Sequence, residues 1–241
     1  MLANGTPWFI YVPPALALVL ALAMVARWTP AAWWWVALLA LLAVASAFGL
    51  SFFRDPGRRT GEGLVAPVHG RVLAVTEEGG WTRVSTFMGP LDVHVVRAPL
   101  DGTVRAMTRG GSGFRRADSA GAGHNVHLDL ELEGAGGAGG ADGTAGADGA
   151  DGTAGADGTA GADGTGGSHR VVMVSGWFAR RIVPYVAVGD RVARGSRIGL
   201  IRFGSRVDVL VPRDGFRITV APGQRVWGGE SSLGVVAHAR D

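Results

Sequence analysis

The sequence predicts a mostly β, sandwich-like antiparallel domain behind an N-terminal two-helix transmembrane hairpin. Two long segments near the start of the chain, residues 8–26 and 31–53, contain no charged side chain. After residue 60 the chain changes to short segments rich in Val and Ile, separated by Gly, Pro and Asp, which is typical of strands joined by turns. The 241 residues include no Cys, which excludes a disulfide-stapled domain and a zinc–thiolate site.

Each uncharged segment is long enough to cross a hydrocarbon core of about 30 Å as a helix. The short connection at residues 27–30 predicts a tight turn, and Pro13 and Pro14 predict a kink in the first span. A cleaved signal peptide is disfavoured because residues 1–7 carry no basic side chain. Two buried helices of a soluble protein are the other alternative, which the hydrophobicity on all helix faces disfavours.

The charges predict which side of the membrane carries the rest of the chain. Arg54, Arg58 and Arg59 follow the second span, whereas the loop between the spans has only Arg27. This bias places the domain on the cytoplasmic face of the inner membrane. Outside residues 134–167 there are 23 basic residues and 15 acidic ones, an excess of +8. By charge alone, this excess suits nucleic acid, a membrane surface or an acidic lipid headgroup. Together with the predicted spans, it leads us to expect an anionic phospholipid partner and no nucleic acid partner.

Residues 134–167 form a Gly/Ala/Asp/Thr tract in which Ala-Asp-Gly-Thr-Ala-Gly recurs. The tract has Gly at every third position but no Pro, so an isolated collagen-like triple helix is not expected. We predict a disordered insertion between two paired strands. The predicted domains are thus a hairpin at 1–50 and a second domain at 51–241 that the tract interrupts.

The apolar segments after residue 60 predict the strands of the second domain. A helical turn is predicted only at 176–182. The predicted strands are 64–68, 71–75, 82–87, 93–96, 126–132, 171–175, 182–188, 197–203, 207–211 and 216–220.

The six His residues do not form a metal-binding motif. His124 and His127 lie three positions apart, and on a strand such side chains face opposite ways, so no metal site is predicted. The segment 186–201 is similar to the hairpin of biotinyl and lipoyl carriers, but the chain contains no Lys to be modified. A carrier function is therefore excluded.

Four sequence blocks occur together in a characteristic order. The first is Phe-Phe-Arg-Asp-Pro at 52–56, the second is Val-Ala-Pro-Val-His-Gly-Arg-Val at 65–72, and the third is Phe-Met-Gly-Pro-Leu-Asp-Val-His-Val-Val-Arg-Ala-Pro-Leu-Asp-Gly at 87–102. The last runs from Gly176 through Ala-Arg-Arg-Ile-Val at 179–183 and Gly-Asp at 189–190 to Ile-Arg-Phe-Gly-Ser-Arg-Val-Asp at 201–208. Together they resemble the phosphatidylserine decarboxylase proenzymes, in particular the short membrane-anchored form. The dipeptide Gly-Ser alone is uninformative because it also occurs at 111, 167 and 195.

The resemblance implies a chain that makes its own prosthetic group. The hydroxyl of Ser205 would attack the carbonyl of Gly204, and elimination and hydrolysis would leave a pyruvoyl group in place of Ser205. The products would be a β chain of 204 residues and an α chain of 37, held together as a heterodimer. The pyruvoyl group would form a Schiff base with the serine amine of phosphatidylserine and act as electron sink while CO₂ leaves, producing phosphatidylethanolamine. No metal is implied.

The resemblance also assigns further site residues. His94 matches the His that the family uses for acid/base work. His69 stands where the family usually has Asp, so processing could be slow, could use His69 as base, or could be lost. Arg54, Arg180 and Arg181 are candidate ligands of the lipid phosphate, each with an equally good structural role.

Two other functions stay open. The first is a membrane-tethered β module that binds lipid or protein and never matures, which the His at position 69 suggests. The second is the same chemistry on archaetidylserine, since nothing in the sequence recognises the lipid tails.

Overall fold

The computed structural model describes residues 2–27, 33–134, 167–177, 181–202 and 205–237. It confirms the mostly β fold and the N-terminal pair of helices. The helices are α1 Val12–Arg27 and α2 Trp33–Phe52. The strands are β1 Leu64–Val65, β2 Gly70–Glu78, β3 Trp81–Met88, β4 Val95–Arg97, β5 Gly102–Gly110, β6 His127–Glu133, β7 Ser168–Val174, β8 Ile182–Pro184, β9 Arg191–Val192, β10 Arg197–Ile201, β11 Ser205–Pro212, β12 Phe216–Ile218, β13 Arg225–Val226 and β14 Ser232–Val236.

The two helices differ in length. Among the described residues, only α2 is both long and apolar enough to cross a membrane. α1 has 16 residues, and a 3₁₀ turn at Trp8–Tyr11 precedes it. Pro13 and Pro14 therefore lie in the first turn of α1, directly after the change from 3₁₀ turn to α-helix, where a proline is tolerated. The predicted turn after Arg27 falls largely outside the described residues.

The start of the chain returns to the end of α2. Leu2 forms an antiparallel bridge with Arg54, and the Ala3 N–H donates to the Phe53 carbonyl at 2.8 Å. Phe52 and Phe53 are buried in a small core with Ala3, Ile10, Val93, Val95 and Leu200. The base of the helix pair is thus packed against β4 and β10.

One large antiparallel sheet organises the second domain. Its eight strands run in the order β13-β2-β3-β11-β7-β6-β5-β9, and two three-stranded sheets, β1-β14-β12 and β4-β10-β8, accompany it. On β11, every second residue from Val207 to Val211 is a fully buried Val, so these side chains share one face of the large sheet. This apolar face packs against the two smaller sheets. One core joins the large sheet to β4, β8 and β10, and the other joins it to β1, β12 and β14. The arrangement is a sandwich.

Most of the predicted strands are present, but β14 and the two-residue strands β9 and β13 were missed, and so was β5 at Gly102–Gly110. Only Val104 is fully buried on it, while Arg105 and Arg109 face solvent, so it contains no continuous apolar segment. The tract at 134–167 does join two paired strands, since β6 and β7 are antiparallel and the Gly134 N–H donates to the Gly167 carbonyl at 3.2 Å. Residues 135–166 lie outside the described residues, as do 178–180 of the predicted helical turn.

His169 in β7 is buried on the inner face of the large sheet. Burial lowers its pKa from 6.5 to about 4, against the opposing effect of the Gly167 backbone. The unfolded chain takes up this proton near pH 6.5 and the folded chain only near pH 4. The stability that depends on neutral His169 is therefore complete above pH 6.5 and is lost as the pH falls toward 4.

We expect acid to destabilise the protein less when His169 is replaced by Leu. The folded wild type should lose up to about 3 kcal/mol through this one group between pH 6.5 and 4, since one pKa unit corresponds to about 1.4 kcal/mol. Melting temperatures at pH 7.5 and 5 measure the difference. His124→Leu, at an exposed position, should keep the acid sensitivity of the wild type. An equal loss in the wild type and His169→Leu would contradict the prediction.

Candidate active site

Ser205 is the first residue of β11 and is fully buried. It pairs in register with Met88 at the end of β3, and its Oγ lies 3.9 Å from the Met88 Sδ. A thioether is a weak hydrogen-bond acceptor, so the hydroxyl is held without a strong partner in the described part of the chain. Gly204, the residue before it, lies outside the described residues.

Two further buried hydroxyls lie on the strands that flank β11. Thr86 of β3 pairs with Val207, two positions beyond Ser205. Ser175 follows Val174, the partner of Arg206, so the register of β7 brings it level with Ser205. Neither hydroxyl has a hydrogen-bond partner among the described residues. Unpaired buried hydroxyls are costly, and here they offer donors to a group that forms beside Ser205. This fits the polar carbonyl that Ser205 is expected to become.

His94 lies just before β4 and is fully buried. Its ring stacks on Phe52, with the centroids 3.8 Å apart and the planes at 30°. Its Nδ1 is 2.8 Å from the Asp92 carbonyl, which only accepts, so Nδ1 carries the proton. Burial lowers the pKa of His94 from 6.5 to about 4, opposed by Asp92 and aided by the charge of Arg54. The Nε2 lone pair is buried and has no partner in the described ranges, so it is available as a base.

The backbone links His94 to the chain that leads into Ser205. The Ile201 N–H donates to the His94 carbonyl at 3.2 Å, and β10, which ends at Ile201, pairs with β4. On the other side Ser205 pairs with Met88, six positions before His94. Both predicted catalytic residues are thus held at the same end of the sandwich.

His69 faces a carboxylate that the sequence analysis did not assign. Its Nε2 lies 3.6 Å from Asp92 Oδ1, its Nδ1 is 3.3 Å from an Arg58 nitrogen, and its ring is 5.8 Å from that of Trp227. Burial lowers the pKa of His69, Asp92 opposes this, and Arg58 adds to it. The site therefore contains a negative charge beside the position where the family usually has Asp.

Asp92 connects the two histidines. Its carbonyl accepts from His94, and its carboxylate lies beside His69 and accepts from the Gly89 N–H at 2.8 Å and from Arg225 at 2.6 Å. Sequence analysis missed this role although Asp92 lies within one of the quoted motifs. The only signal in the sequence was that Asp92 lies two residues before His94. This spacing does not show that the Asp92 carboxylate contacts His69, just before β2.

The three predicted lipid-binding arginines are in different situations. Arg54 donates to the Ser51 carbonyl at 2.6 Å and hydroxyl at 2.7 Å and to the Leu91 carbonyl at 2.8 Å, so it ties the end of α2 to the loop that carries Asp92. Arg181 is exposed beside β8. Arg180 lies outside the described residues.

Asp55 holds β4 and β10 at the base of the helix pair. Its buried carboxylate pairs with Arg97 of β4 at 2.9 Å and with Arg197 of β10. Arg97 also donates to the Gly195 carbonyl at 2.9 Å. A buried pair of this kind is costly to break and fixes the orientation of the strand that follows His94. The motif at 52–56 therefore has a structural role in addition to its place at the end of the span.

The described ranges contain no group of three His, Cys, Asp or Glu side chains that could hold a metal ion. His127 donates to the Asn125 carbonyl through Nδ1 at 2.9 Å, and His124 is exposed. Asn125 itself is buried and clamps the backbone of Arg115 and Ser175 with its side chain. Asn125 thus holds the loop around Arg115 against the end of β7.

A family model described as phosphatidylserine decarboxylase matches residues 45–135 and 155–234. The chain belongs to the phosphatidylserine decarboxylase family. The matched segments include β1–β14 apart from the last residues of β14, together with both histidines and Ser205. The unmatched residues 136–154 fall inside the Gly-rich tract, so the family model does not cover this part of the tract.

Relatives match over nearly their whole length. A Streptomyces griseus "Phosphatidylserine decarboxylase proenzyme" is 35% identical over 95% of this chain and 91% of its own, and one from Solibacter usitatus is 37% identical over 91% of both. A Halobacterium salinarum protein named "Putative archaetidylserine decarboxylase proenzyme" is 35% identical over 97% of this chain and 99% of its own. No solved structure matches the chain with statistical significance. The relatives confirm the family predicted from the motifs.

Proposed function

We propose that the protein is a self-processing, pyruvoyl-dependent decarboxylase that converts phosphatidylserine to phosphatidylethanolamine. The observation that carries the proposal is the convergence of Ser205 and His94: β11 begins with a buried, weakly bonded hydroxyl, and His94 binds the chain that leads into it. The proenzyme names of the relatives support the processing step.

Processing uses the chain's own atoms. Ser205 Oγ attacks the Gly204 carbonyl carbon, the Gly204–Ser205 amide bond breaks and an ester forms in its place. Elimination of the Gly204 carboxylate opens this ester, and hydrolysis then consumes one water and releases the nitrogen of Ser205 as ammonia. His94 Nε2, neutral and unpaired, accepts the proton that must leave in such a step. The products are chains of 204 and 37 residues that stay paired through β3, β11 and β7.

The mature site needs a carbonyl and a place for the substrate. The pyruvoyl group, once formed, supplies the electron-withdrawing carbonyl that accepts the electron pair when CO₂ departs. Thr86 and Ser175 would provide hydroxyl donors near it, and His94 would return a proton to the product carbon. Arg54 and Arg181, with Arg180, would attract the lipid phosphate to this end of the sandwich.

We propose that the domain faces the cytoplasm at the inner membrane. α2 ends at Phe52, and Arg54, Arg58 and Arg59 follow at once, which is the charge pattern of a cytoplasmic boundary. The substrate would then enter from the leaflet to which the domain is anchored.

Two alternatives each have an observation in their favour. The name of the Halobacterium relative favours archaetidylserine as substrate. This lipid has the same serine headgroup as phosphatidylserine, so the same chemistry applies to it. His69 in place of the usual Asp favours a β module that never matures, although Asp92 supplies a carboxylate nearby.

Intact mass and CO₂ release test the proposal together. We expect purified protein to show two chains separated before residue 205 and to release CO₂ from phosphatidylserine vesicles. CO₂ released much faster from archaetidylserine would assign the other lipid. A single chain of 241 residues that releases no CO₂ from either lipid would assign the non-maturing module.

Asp92→Asn tests the His69–Asp92 pair. The carboxylate raises the pKa of His69, so its loss should leave His69 neutral over a wider range and slow processing roughly ten-fold, as expected for a lost charge-assisted contact. The appearance of the two chains with time, followed on gels between pH 5 and 9, measures the rate and its pH dependence. Asp118→Asn removes an exposed partner of Arg116 and is the control. An unchanged rate and pH profile in Asp92→Asn would exclude a role for the pair.

A further inference from the structure

Two large apolar side chains are exposed around the His69–Asp92 pair. Leu91 is 68% exposed and Trp227 is 44% exposed. Leu91 precedes Asp92 in the chain, and the Trp227 ring packs 5.8 Å from His69. Neighbouring exposed apolar side chains that charged residues surround mark an interaction surface. We name Leu91, Trp227, Arg71 and Arg225 the rim.

The rim lies close to the end of the membrane helix. α2 ends at Phe52, and Arg54, two residues on, donates to the Leu91 carbonyl at 2.8 Å. Arg225 in turn reaches Asp92 at 2.6 Å. The contacts therefore run from the boundary of the span through the Leu91 loop to β13. Leu91 and Trp227 are exposed near the end of α2. Membrane proteins place apolar and aromatic side chains of this kind in the interface between the lipid tails and water.

The charges of the rim favour an anionic surface. Arg71 of β2 and Arg225 of β13 are direct partners in the antiparallel register. Like charges in this position repel, and an anion between them removes the repulsion. Arg225 has one carboxylate partner, Asp92, whereas Arg71 is exposed and has no ion pair among the described residues. Phosphate groups of acidic lipids would bind both guanidinium groups.

We infer that the rim is a second membrane contact, which docks on the headgroup layer of an anionic bilayer and holds the mouth of the site at the lipid surface. Leu91 and Trp227 enter the interface, and Arg71 and Arg225 bind lipid phosphates. This inference rests on the membrane anchoring of α2 but not on processing or decarboxylation.

The absence of Cys allows the contact to be tested on the full chain with single labels. Leu91→Cys, carrying an environment-sensitive fluorophore, reports on the rim. Leu41→Cys, on an exposed side of α2, reports on anchoring. Glu78→Cys lies at the other end of β2 and β3 and is the soluble-side control. Each variant is reconstituted in phosphatidylcholine vesicles with and without phosphatidylglycerol, and quenching by aqueous iodide is measured.

We expect the Leu91 label to be several-fold less quenched than the Glu78 label in vesicles with phosphatidylglycerol. Adding Arg71→Gln should reduce docking about five-fold, the effect of one arginine near an anionic surface. Arg116→Gln, which alters an exposed arginine paired with Asp118, should have no effect. Trp227→Cys gives a second label position if Leu91→Cys does not fold.

A Leu91 label as accessible as the Glu78 label, while the Leu41 label is protected, would overturn the inference and leave anchoring intact. Protection that is equal in neutral vesicles and unchanged by Arg71→Gln would overturn docking on anionic lipid. Gels of the same samples show whether the chain is cleaved, so failure of the proposed function is seen separately.

Discussion

Ser205→Ala should give a single chain of 241 residues with no decarboxylase activity. The substitution removes the one hydroxyl that can attack the Gly204 carbonyl, and it removes the oxygen from which the ester forms. The fold should tolerate the change, because Oγ contacts only the Met88 sulfur at 3.9 Å in the described part of the chain. Activity should therefore fall below detection while the melting temperature changes little.

Intact mass and gel electrophoresis measure this outcome. Ser112→Ala is the matched control, because Ser112 also follows a Gly but is exposed, and this variant should be cleaved normally. Two chains with the wild-type masses in Ser205→Ala would place the cleavage at another bond, and the assignment of Ser205 would be wrong.

His94→Gln should reduce decarboxylation about 100-fold or more, the usual contribution of a positioned acid or base. Gln cannot take up a proton at Nε2, whereas the neutral imidazole of His94 can. The rate of CO₂ release from phosphatidylserine, divided by the fraction of chains that intact mass shows to be cleaved, separates this effect from processing.

His127→Gln is the matched control for His94→Gln. Both rings place Nδ1 close to the carbonyl of the residue two positions earlier, at 2.8 Å for His94 and 2.9 Å for His127. His127 is only partly buried and lies on β6, two strands from β11, and its register with Val174 and Arg206 puts it on the opposite face of the sheet from Ser205. Equal activity losses in the two variants would show that a local structural effect, not proton transfer, explains the result.

The pKa of His94 predicts the acid limb of the activity profile. Burial holds it at about 4, so the imidazole is neutral through the physiological range and gains its proton only below about pH 5. Activity that requires neutral His94 should stay level from pH 7 to about 5 and then decline. A decline centred near 6.5 would mean that His94 is solvated in the working enzyme.

Local patterns in the sequence were sufficient for much of the architecture. Unbroken apolar segments predicted the helix pair, and short segments rich in Val and Ile, separated by Gly, Pro and Asp, predicted the mostly β domain. The Gly-Ser bond at 204–205 was identified from its neighbours in the motif. β5 was missed because its polar residues interrupt the apolar pattern.

The chain's sequence by itself therefore determined the apolar helix pair, the mostly β domain, the family and the residues proposed to react. Only the tertiary structure decided how those residues are tuned: that Phe52 stacks on His94, that Asp92 lies beside His69, and that Arg54 joins α2 to the loop before His94. These contacts join residues far apart in the chain. Apolar segments and motifs in the sequence describe residues that are close along the chain. The packing of the layers decides which distant side chains meet and which buried atoms have no partner among the described residues.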